Sequence, residues 1–361
     1  MPLLTHYYQK LFAFCALLLT IIGIVFVYSA STYWSAIHYE GQTPFYIKQM
    51  IYFVIACLVF VMIIKGPALT EKKLFMLYLF SLLLLVLVLI PGIGIWRNGS
   101  RSWIGIGPLT LQPAELVKIT TLLYLSARLS KVKSFEKVVK LEHFIIIFLP
   151  VILIMLQPDF GSVFILVVTA FIVLFIAKYP IKLYIFLMLA GGAGLIGLII
   201  SAPYRLERIK SFLDPWSDPL GSGFQAVQSL MAIGPAGLFG HGFLQSRQKY
   251  LYLPEPQNDF IFSIILEEMG FVGGGVILVL FATLFYCGYT LAIRAYGLEQ
   301  FYMISALTTM LVLQTCLNIG VVIGLLPVTG VTLPFISYGG TSLIVIWITV
   351  ALIIKINYAE T

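Results

Sequence analysis

The sequence predicts an all-α integral membrane protein with about ten transmembrane helices, and three observations lead to this prediction. Of the 361 residues, 60% are hydrophobic and only 10% are charged, and the mean hydropathy is +1.03. Soluble domains average ~25% charged residues, so lipid must solvate much of this protein's surface. The apolar runs, for example 74–90 and 163–177, are long and do not alternate strictly, which favours helices over barrel strands.

Ten apolar segments are predicted to span the membrane, so that residues 1–361 form a single polytopic membrane domain. The longest connection, residues 202–258, separates the seventh and eighth helices and is predicted to be a large extracytoplasmic loop of functional importance. Within it, the amphipathic stretch 224–231 predicts a helix lying at the membrane interface. The predicted spans lie near 11–30, 46–64, 73–91, 112–128, 143–157, 160–177, 183–201, 260–290, 301–325 and 339–357.

The distribution of charge predicts the orientation in the membrane. If the N-terminus is cytoplasmic, thirteen of the 22 basic residues fall on the inner side, mostly in short loops, which places both termini in the cytoplasm. The net charge of +7 therefore reflects topology, and no nucleic-acid partner is expected. All four aspartates lie on or near the outer side in this topology, so polar chemistry is predicted there. The inner basic residues are Lys10, Lys65, Lys72, Lys73, Arg128, Lys131, Lys133, Lys137, Lys140, Lys178, Lys182, Arg294 and Lys355.

The segment 98–118 places cations, a tryptophan and a carboxylate beside the membrane. Gln112 and Pro113 are typical of a helix start, which puts Glu115 in the first turn, where the helix dipole favours an anion. Glu115 and Lys118 are three residues apart and can pair on one face. A purely structural ion pair that lets both charges enter the membrane explains this pattern equally well.

Two further segments place an aspartate where a helix begins. Asp159, in the turn Gln157-Pro-Asp-Phe-Gly161, either caps the sixth helix or positions a metal or substrate. Asp259 follows Pro254 and Pro256 and stands where the polar loop meets an apolar helix. A helix cap, which Asn258 could supply instead, and a catalytic carboxylate are equally good explanations of Asp259.

The fourth motif, residues 324–342, is rich in proline and glycine at membrane depth and includes Ser337. Irregular backbone at that depth is tolerated where it is buried in protein or lines a cavity. A plain kinked connection is the alternative. Glu267 and Glu268 lie further along the eighth span, where carboxylates are costly unless they are paired or face water.

Taken together, the four motifs resemble those of the SEDS proteins, the FtsW, RodA and SpoVE group of bacterial peptidoglycan polymerases. The resemblance covers nearly the whole chain in the right order. Asn258 and Ala114 depart from the usual residues, and neither departure removes an ionisable group. The sequences of 249–256 and 99–104 lean towards the FtsW/SpoVE branch, whereas 326–330 is more similar to RodA. The motifs are Gln112-Pro-Ala-Glu, Gln157-Pro-Asp, Pro254-Glu-Pro-Gln-Asn-Asp-Phe and Pro334-Phe-Ile-Ser-Tyr-Gly-Gly.

The resemblance implies a peptidoglycan glycosyltransferase that polymerises lipid II at the outer face of the bacterial cytoplasmic membrane and releases undecaprenyl diphosphate. It implies that Asp259 is the catalytic base. The expected substrate-binding residues are Arg101, Lys118, Arg247, Lys249, Glu115, Asp159 and Ser337, the basic ones because Arg and Lys suit phosphate oxygens.

A divalent cation, Mg²⁺ or Mn²⁺, held by Glu115 and Asp159 is a further expectation, since such ions prefer oxygen ligands and bridge phosphates. The resemblance implies a class B penicillin-binding protein as partner, together with other divisome or elongasome membrane proteins. The alternatives are a lipid II flippase and a scaffold without chemistry of its own. The clustering of acids on one side argues against the flippase, since transporters place ionisable groups near mid-membrane.

Overall fold

The computed structural model describes residues 2–38, 44–97, 100–106, 109–132, 140–200 and 211–358. Within these ranges the chain forms ten long helices and one short one, and each of the ten predicted spans overlaps a long helix. The long helices are α1 (Pro2–His38), α2 (Phe45–Lys65), α3 (Glu71–Leu89), α4 (Pro113–Ser130), α5 (Leu141–Met155), α6 (Phe160–Ile176), α7 (Ile181–Ile200), α9 (Ile261–Ile293), α10 (Leu298–Val322) and α11 (Gly340–Tyr358), and the short α8 spans Phe224–Ile233.

The helical membrane fold is confirmed. Among the described residues, six helices (α1, α2, α3, α9, α10 and α11) are long and apolar enough to cross a membrane, while α5 and α6 are apolar but shorter. The count of ten spans stays a prediction. The predicted amphipathic stretch is helical as α8, which buries Val227, Ser229 and Ala232. Residues 201–210 of the predicted outer loop lie outside the described residues.

A small antiparallel sheet between α3 and α4 was not predicted. It consists of β1 (Gly94–Arg97), β2 (Ser100–Ile106) and β3 (Leu109–Leu111) in the order β1-β2-β3. The register pairs Trp96 with Arg101 and Ile104 with Leu111. The sheet brings the polar residues of the first motif back over the bundle, next to the start of α4.

The centre of the bundle is formed by α4 and α10. Helix α10 packs against α4, α6, α9 and α11, and its apolar stretch is more deeply buried than that of any other candidate span in the described chain. Almost every residue of α4 is buried, including its charged residues Glu115 and Lys118. Hydroxyl side chains such as Thr121 and Ser126 in α4 face protein rather than lipid, which explains why α4 is less apolar than the outer helices.

The two ends of the bundle differ in charge. At the end carrying the predicted inner loops, Arg128 pairs with Glu71 and Glu142, each at 2.6 Å. Lys355 at the end of α11 donates to the carbonyls of Ile63, Gly66 and Pro67 beyond α2. Cations near helix C-termini are favourable. The four motifs all lie at the opposite end.

Helix α9 contains a sharp irregularity at Gly270 (φ +64°), where the loop 237–249 is attached to it. The backbone N–H groups of His241 and Gly242 donate to the carbonyls of Glu267 and Glu268, both at 2.9 Å. A Cβ on Gly240 (φ +72°) would overlap the Glu268 carbonyl, so glycine is needed here for close approach. Gly240 therefore allows the close packing of this loop against α9.

Candidate active site

The fourth motif, which comprises most of the α10–α11 connection (residues 323–339) and the start of α11, contacts the other three motifs. The backbone N–H of Tyr338 donates to the Gln257 carbonyl at 2.8 Å. At the start of α11, Thr341 donates to the carbonyl of Thr110. A Cβ on Gly161 would touch Val331 and the Thr329 carbonyl. Residues 331–337 of this irregular connection are mostly buried in protein, whereas 323–326 and 330 are exposed, and the four motifs meet around its buried part.

Asp259 stands just before α9, and its side chain does not cap that helix. The N-cap residue is Phe260, and no side-chain cap hydrogen bond is present. The carbonyl of Asp259 accepts a 2.6 Å hydrogen bond from the side-chain amide of Asn318 in α10. Within the described part of the chain, no neighbouring side chain is hydrogen-bonded to the Asp259 carboxylate. The capping explanation of this residue is therefore wrong.

The environment of Asp259 changes its acidity. The residue lies deep among protein atoms but keeps part of its surface accessible. Burial raises the pKa of the Asp259 carboxyl to about 6, and the negative charge of Glu255 contributes in the same direction. A carboxylate with this pKa is a stronger base than an ordinary aspartate and is still mostly ionised at pH 7.

Asn258, the alternative helix cap, does not cap α9 either, because its side chain bonds Glu255. Its side-chain amide donates to Glu255 at 2.6 Å, and its backbone N–H donates to the Glu255 carbonyl at 3.0 Å. These bonds close the Glu255–Asn258 turn, whose Glu255 has a positive φ of 43°. The Pro-Glu-Pro-Gln-Asn-Asp segment therefore forms a hydrogen-bonded turn that places Asp259 just before α9.

Asp159 caps α6, as one of its two interpretations predicted. Its carboxylate accepts from the backbone N–H of Ser162 at 3.0 Å and from the Ser162 hydroxyl at 2.8 Å. It also accepts a 3.0 Å hydrogen bond from the side-chain amide of Gln112, the N-cap residue of α4. Asp159 thus joins the starts of α4 and α6 next to the α10–α11 connection.

Glu115 and Lys118 form the expected pair. The Lys118 Nζ lies 2.8 Å from Glu115 Oε1, and the Lys118 side chain is only 1% exposed. The predicted start of the helix at Gln112 and Pro113 is confirmed. A buried lysine is tolerated here because a carboxylate lies within ion-pair distance.

Arg101 lies on β2, beside the second motif. The hydroxyls of its neighbours Ser100 and Ser102 donate to the Gln157 carbonyl at 2.8 and 3.3 Å. The guanidinium stacks near the Trp96 ring, 5.8 Å from its centroid. In the described structure, Arg101 Nε is buried without a hydrogen-bond acceptor, so this cation retains capacity to bind an anion.

The remaining predicted site residues have different surroundings. Arg247 is exposed, while its backbone N–H donates to Glu267 at 2.8 Å. Lys249 is buried and lies 3.0 Å from Glu268. Ser337 is buried, and its hydroxyl accepts from the backbone N–H of Leu333 at 2.8 Å. Arg247 is therefore available to a ligand, whereas Lys249 and Ser337 make structural contacts.

The proposed carboxylate ligands of a metal ion do not form a metal site as placed. Glu115 pairs with Lys118, and both oxygens of Asp159 accept hydrogen bonds from protein donors. Across the described ranges, no three His, Cys, Asp or Glu side chains come together as metal ligands. These residues do not fit a resident Mg²⁺ or Mn²⁺ in this arrangement.

Sequence reasoning missed the buried amides that hold the site together. Gln49 donates to the Ser337 carbonyl at 3.1 Å, and Asn318 donates to Val331 and Asp259. Gln157 donates to the Leu85 carbonyl at 3.3 Å. The available signal was the presence of amides inside apolar helices, where each unpaired polar group costs several kcal/mol, on the order of 1–3 or more.

An apolar groove of about 360 Å³ lies between α3, α4 and α5. It is lined by residues such as Phe75, Tyr124 and Leu141. These residues come from the start of α3 and α5 and the end of α4. The groove therefore lies towards the end of the bundle opposite Asp259 and does not belong to the site.

The chain is similar in sequence to known proteins over nearly its whole length. A family model described as cell cycle protein, of the FtsW, RodA and SpoVE group, matches residues 9–361. Stage V sporulation protein E of Bacillus subtilis strain 168 is 44% identical over 352 residues, covering 94% of this chain and 94% of that protein. A probable peptidoglycan glycosyltransferase FtsW of Legionella pneumophila is 38% identical over 349 residues, covering 94% of this chain and 88% of that protein.

Solved structures share the whole fold. One, described as the structural coordination of polymerization and crosslinking by a peptidoglycan synthase complex, matches with a TM-score of 0.79 at 30% identity and 97% coverage of each chain. The crystal structure of the rod shape determining protein RodA of Thermus thermophilus matches with a TM-score of 0.69 at 26% identity, covering 97% of this chain and 96% of that one.

Proposed function

We infer that this chain, which belongs to the FtsW/RodA/SpoVE family of cell cycle proteins, is a peptidoglycan glycosyltransferase that polymerises lipid II into glycan strands. Relatives 37–38% identical to it carry the name of that activity. One observation supports the proposal most strongly. A deep, partly accessible aspartate with a raised pKa stands where four otherwise distant motifs meet, and it caps no helix.

The proposed chemistry is a glycosyl transfer with inversion. The 4-hydroxyl of the N-acetylglucosamine of one lipid II attacks the anomeric carbon of the growing strand, and Asp259 takes the hydroxyl proton. A carbon–oxygen bond forms at the anomeric carbon while the bond to the diphosphate breaks, and undecaprenyl diphosphate leaves. A positioned base of this kind contributes about 10²–10⁴-fold.

The leaving diphosphate needs cationic stabilisation. Arg101 and Arg247 are the better placed of the expected cations, because Arg101 has an unpartnered buried N–H and Arg247 is exposed. Lys118 and Lys249 each form an ion pair with a glutamate. We therefore assign diphosphate contact to the two arginines and local structure to the two lysines.

Orientation and partner follow from charge and from the related complex. The basic residues concentrate at the end opposite Asp259, so the positive-inside rule orients the site outwards. Both termini are then cytoplasmic, and the protein resides in the bacterial cytoplasmic membrane. A solved relative belongs to a peptidoglycan synthase complex that couples polymerization to crosslinking, so the proposed partner is a class B penicillin-binding protein.

The test is polymerisation of labelled lipid II by the purified full-length protein, with and without its cognate transpeptidase. Glycan strands that form only when this chain is present support the proposal. Absence of strands with the partner present contradicts it. Movement of lipid II across the liposome bilayer without polymerisation would favour the flippase. Absence of both activities would favour the scaffold.

A further inference from the structure

Three buried side-chain amides hold the α10–α11 connection in place. Gln49 of α2 bonds the Ser337 carbonyl, and Gln314 of α10 donates to the Thr332 carbonyl at 3.3 Å. Asn318, one turn after Gln314, donates to the Val331 carbonyl at 2.8 Å. All three side chains are 0–1% exposed. The irregular connection is therefore fixed by amides from the helices around it.

Asn318 differs from the other two because it also reaches the Asp259 segment. Its Nδ2 donates a second hydrogen bond, 2.6 Å long, to the Asp259 carbonyl. Both acceptors are carbonyl oxygens, so only the nitrogen of the amide can face them. The two hydrogens of one NH₂ group thus clamp the backbone of Asp259 to the backbone of Val331.

The orientation of this amide has a cost. With Nδ2 directed at two carbonyls, Asn318 Oδ1 is buried without a hydrogen-bond partner in the described structure. Buried polar atoms are normally satisfied, and an exception calls for an explanation. Here the unpaired oxygen accompanies the only arrangement that bonds both carbonyls at once.

We propose that Asn318 is a positioning residue for Asp259: it fixes the carboxylate relative to the α10–α11 connection, so that the base meets the attacking hydroxyl. This proposal rests on the proposed function. Asp259 has no neighbouring side chain bonded to its carboxylate in the described chain, so the placement of its carboxylate depends on how its backbone is held. A misplacement of about 1 Å in such a site can lower the rate by about 10²-fold.

The matched pair for the test is Asn318→Ala and Gln314→Ala. Both changes remove a buried amide from α10 and a bond to the same connection, but only the first releases Asp259. We expect Asn318→Ala to lower kcat for lipid II polymerisation by about 10–100-fold with little change in KM. The pH at which its rate falls to half of the maximum on the acid side should also differ from that of the wild type. Gln314→Ala should leave both kcat and the pH profile near wild type.

Two controls keep the interpretation separate from unfolding and from the proposed function. Thermal unfolding of both alanine variants reports any general loss of stability. The double variant with Asp259→Asn should be no slower than Asp259→Asn alone if Asn318 acts through Asp259. Equal losses in the two alanine variants, or an unchanged kcat and pH profile in Asn318→Ala, would overturn the positioning role. An inactive wild type would overturn the proposed function instead. A fully active Asp259→Asn would leave the polymerase activity standing but would overturn the role of Asp259 as base, and with it the positioning role of Asn318.

Discussion

Asp259 and Glu268 are carboxylates nine residues apart at the same end of the bundle, and their surroundings are opposite. Glu268 is fully buried and accepts hydrogen bonds from Lys249 at 3.0 Å and Ser29 at 2.7 Å. Asp259 keeps accessible surface, and no neighbouring side chain in the described chain bonds its carboxylate. Burial with a partner makes a carboxylate structural, whereas burial without one leaves it basic and available for chemistry.

The same contrast divides the other charged residues. Lys118 and Lys249 are held by glutamates, and Asp159 by Ser162 and Gln112. Arg101 retains an unpartnered N–H within the described structure. Paired charged side chains thus hold helices together, whereas Arg101 and the proposed base lie at one end of the bundle and are available for chemistry.

The largest effect is expected from changing Asp259, the carboxylate without a bonded neighbouring side chain in the described structure. Asp259→Asn preserves the shape of the side chain but removes the proton acceptor, so polymerisation of lipid II should fall by about 10²-fold or more. Folding, membrane insertion and binding of the transpeptidase should be unchanged, because the carboxylate caps no helix and bonds no neighbouring side chain. Strand formation is measured on labelled lipid II with the partner present. Near-normal product would mean that the catalytic base lies elsewhere.

Glu268→Gln tests the structural role of the paired carboxylate. It leaves Lys249 buried without its counter-ion, which should reduce the free energy of unfolding by about 3–5 kcal/mol. Thermal unfolding of the purified protein reports this loss. The double variant Lys249→Met, Glu268→Gln should recover part of the stability, because no unpaired charge remains. Glu255→Gln, at a partly exposed carboxylate before α9, is the matched control, and a loss as large there would contradict the contrast.

The pair Glu115 and Lys118 provides a quantitative test of coupling. Because the two charges touch at 2.8 Å in a buried environment, Glu115→Gln and Lys118→Met should not act independently. We expect a coupling free energy of about 1–3 kcal/mol in a double-mutant cycle on stability. If the two losses simply add, the pair is not a functional unit and the buried lysine must be stabilised in another way.

The sequence predicted the parts of this molecule that depend on local composition. Apolar runs predicted all ten long helices of the described chain, and Gln112 and Pro113 predicted the start of α4. The sheet at 94–111 was missed because its strands are three to seven residues long and follow an apolar span without a strong pattern. For both aspartates the local sequence offered a helix cap as one explanation. The other was a metal- or substrate-positioning role for Asp159 and a catalytic role for Asp259.

Only the tertiary structure separates those explanations. Asp159 meets a donor three residues ahead, Ser162, and a second donor 47 residues earlier, Gln112. Asp259 is placed by an amide 59 residues further along the chain. No local pattern contains such partners, so a sequence can nominate both aspartates without showing which of them is committed to structure.

The smallest expected effect refines the comparison through pH. Burial raises the pKa of Asp259 to about 6, and a general base acts in its deprotonated form. The rate at limiting substrate should therefore be near its maximum at pH 7.5, about half at pH 6 and about tenfold lower at pH 5. The sign follows from the raised pKa, because protonation of the carboxylate removes the base as the pH falls through 6.

The control for this pH profile is the variant that lacks the base. The residual activity of Asp259→Asn should be independent of pH over the same range, because no carboxylate titrates at that position. An acid limb centred near 4 in the wild type would mean that water reaches and solvates the carboxylate freely. Asp259 would then resemble an ordinary surface aspartate, and its contrast with Glu268 would rest on hydrogen bonding alone.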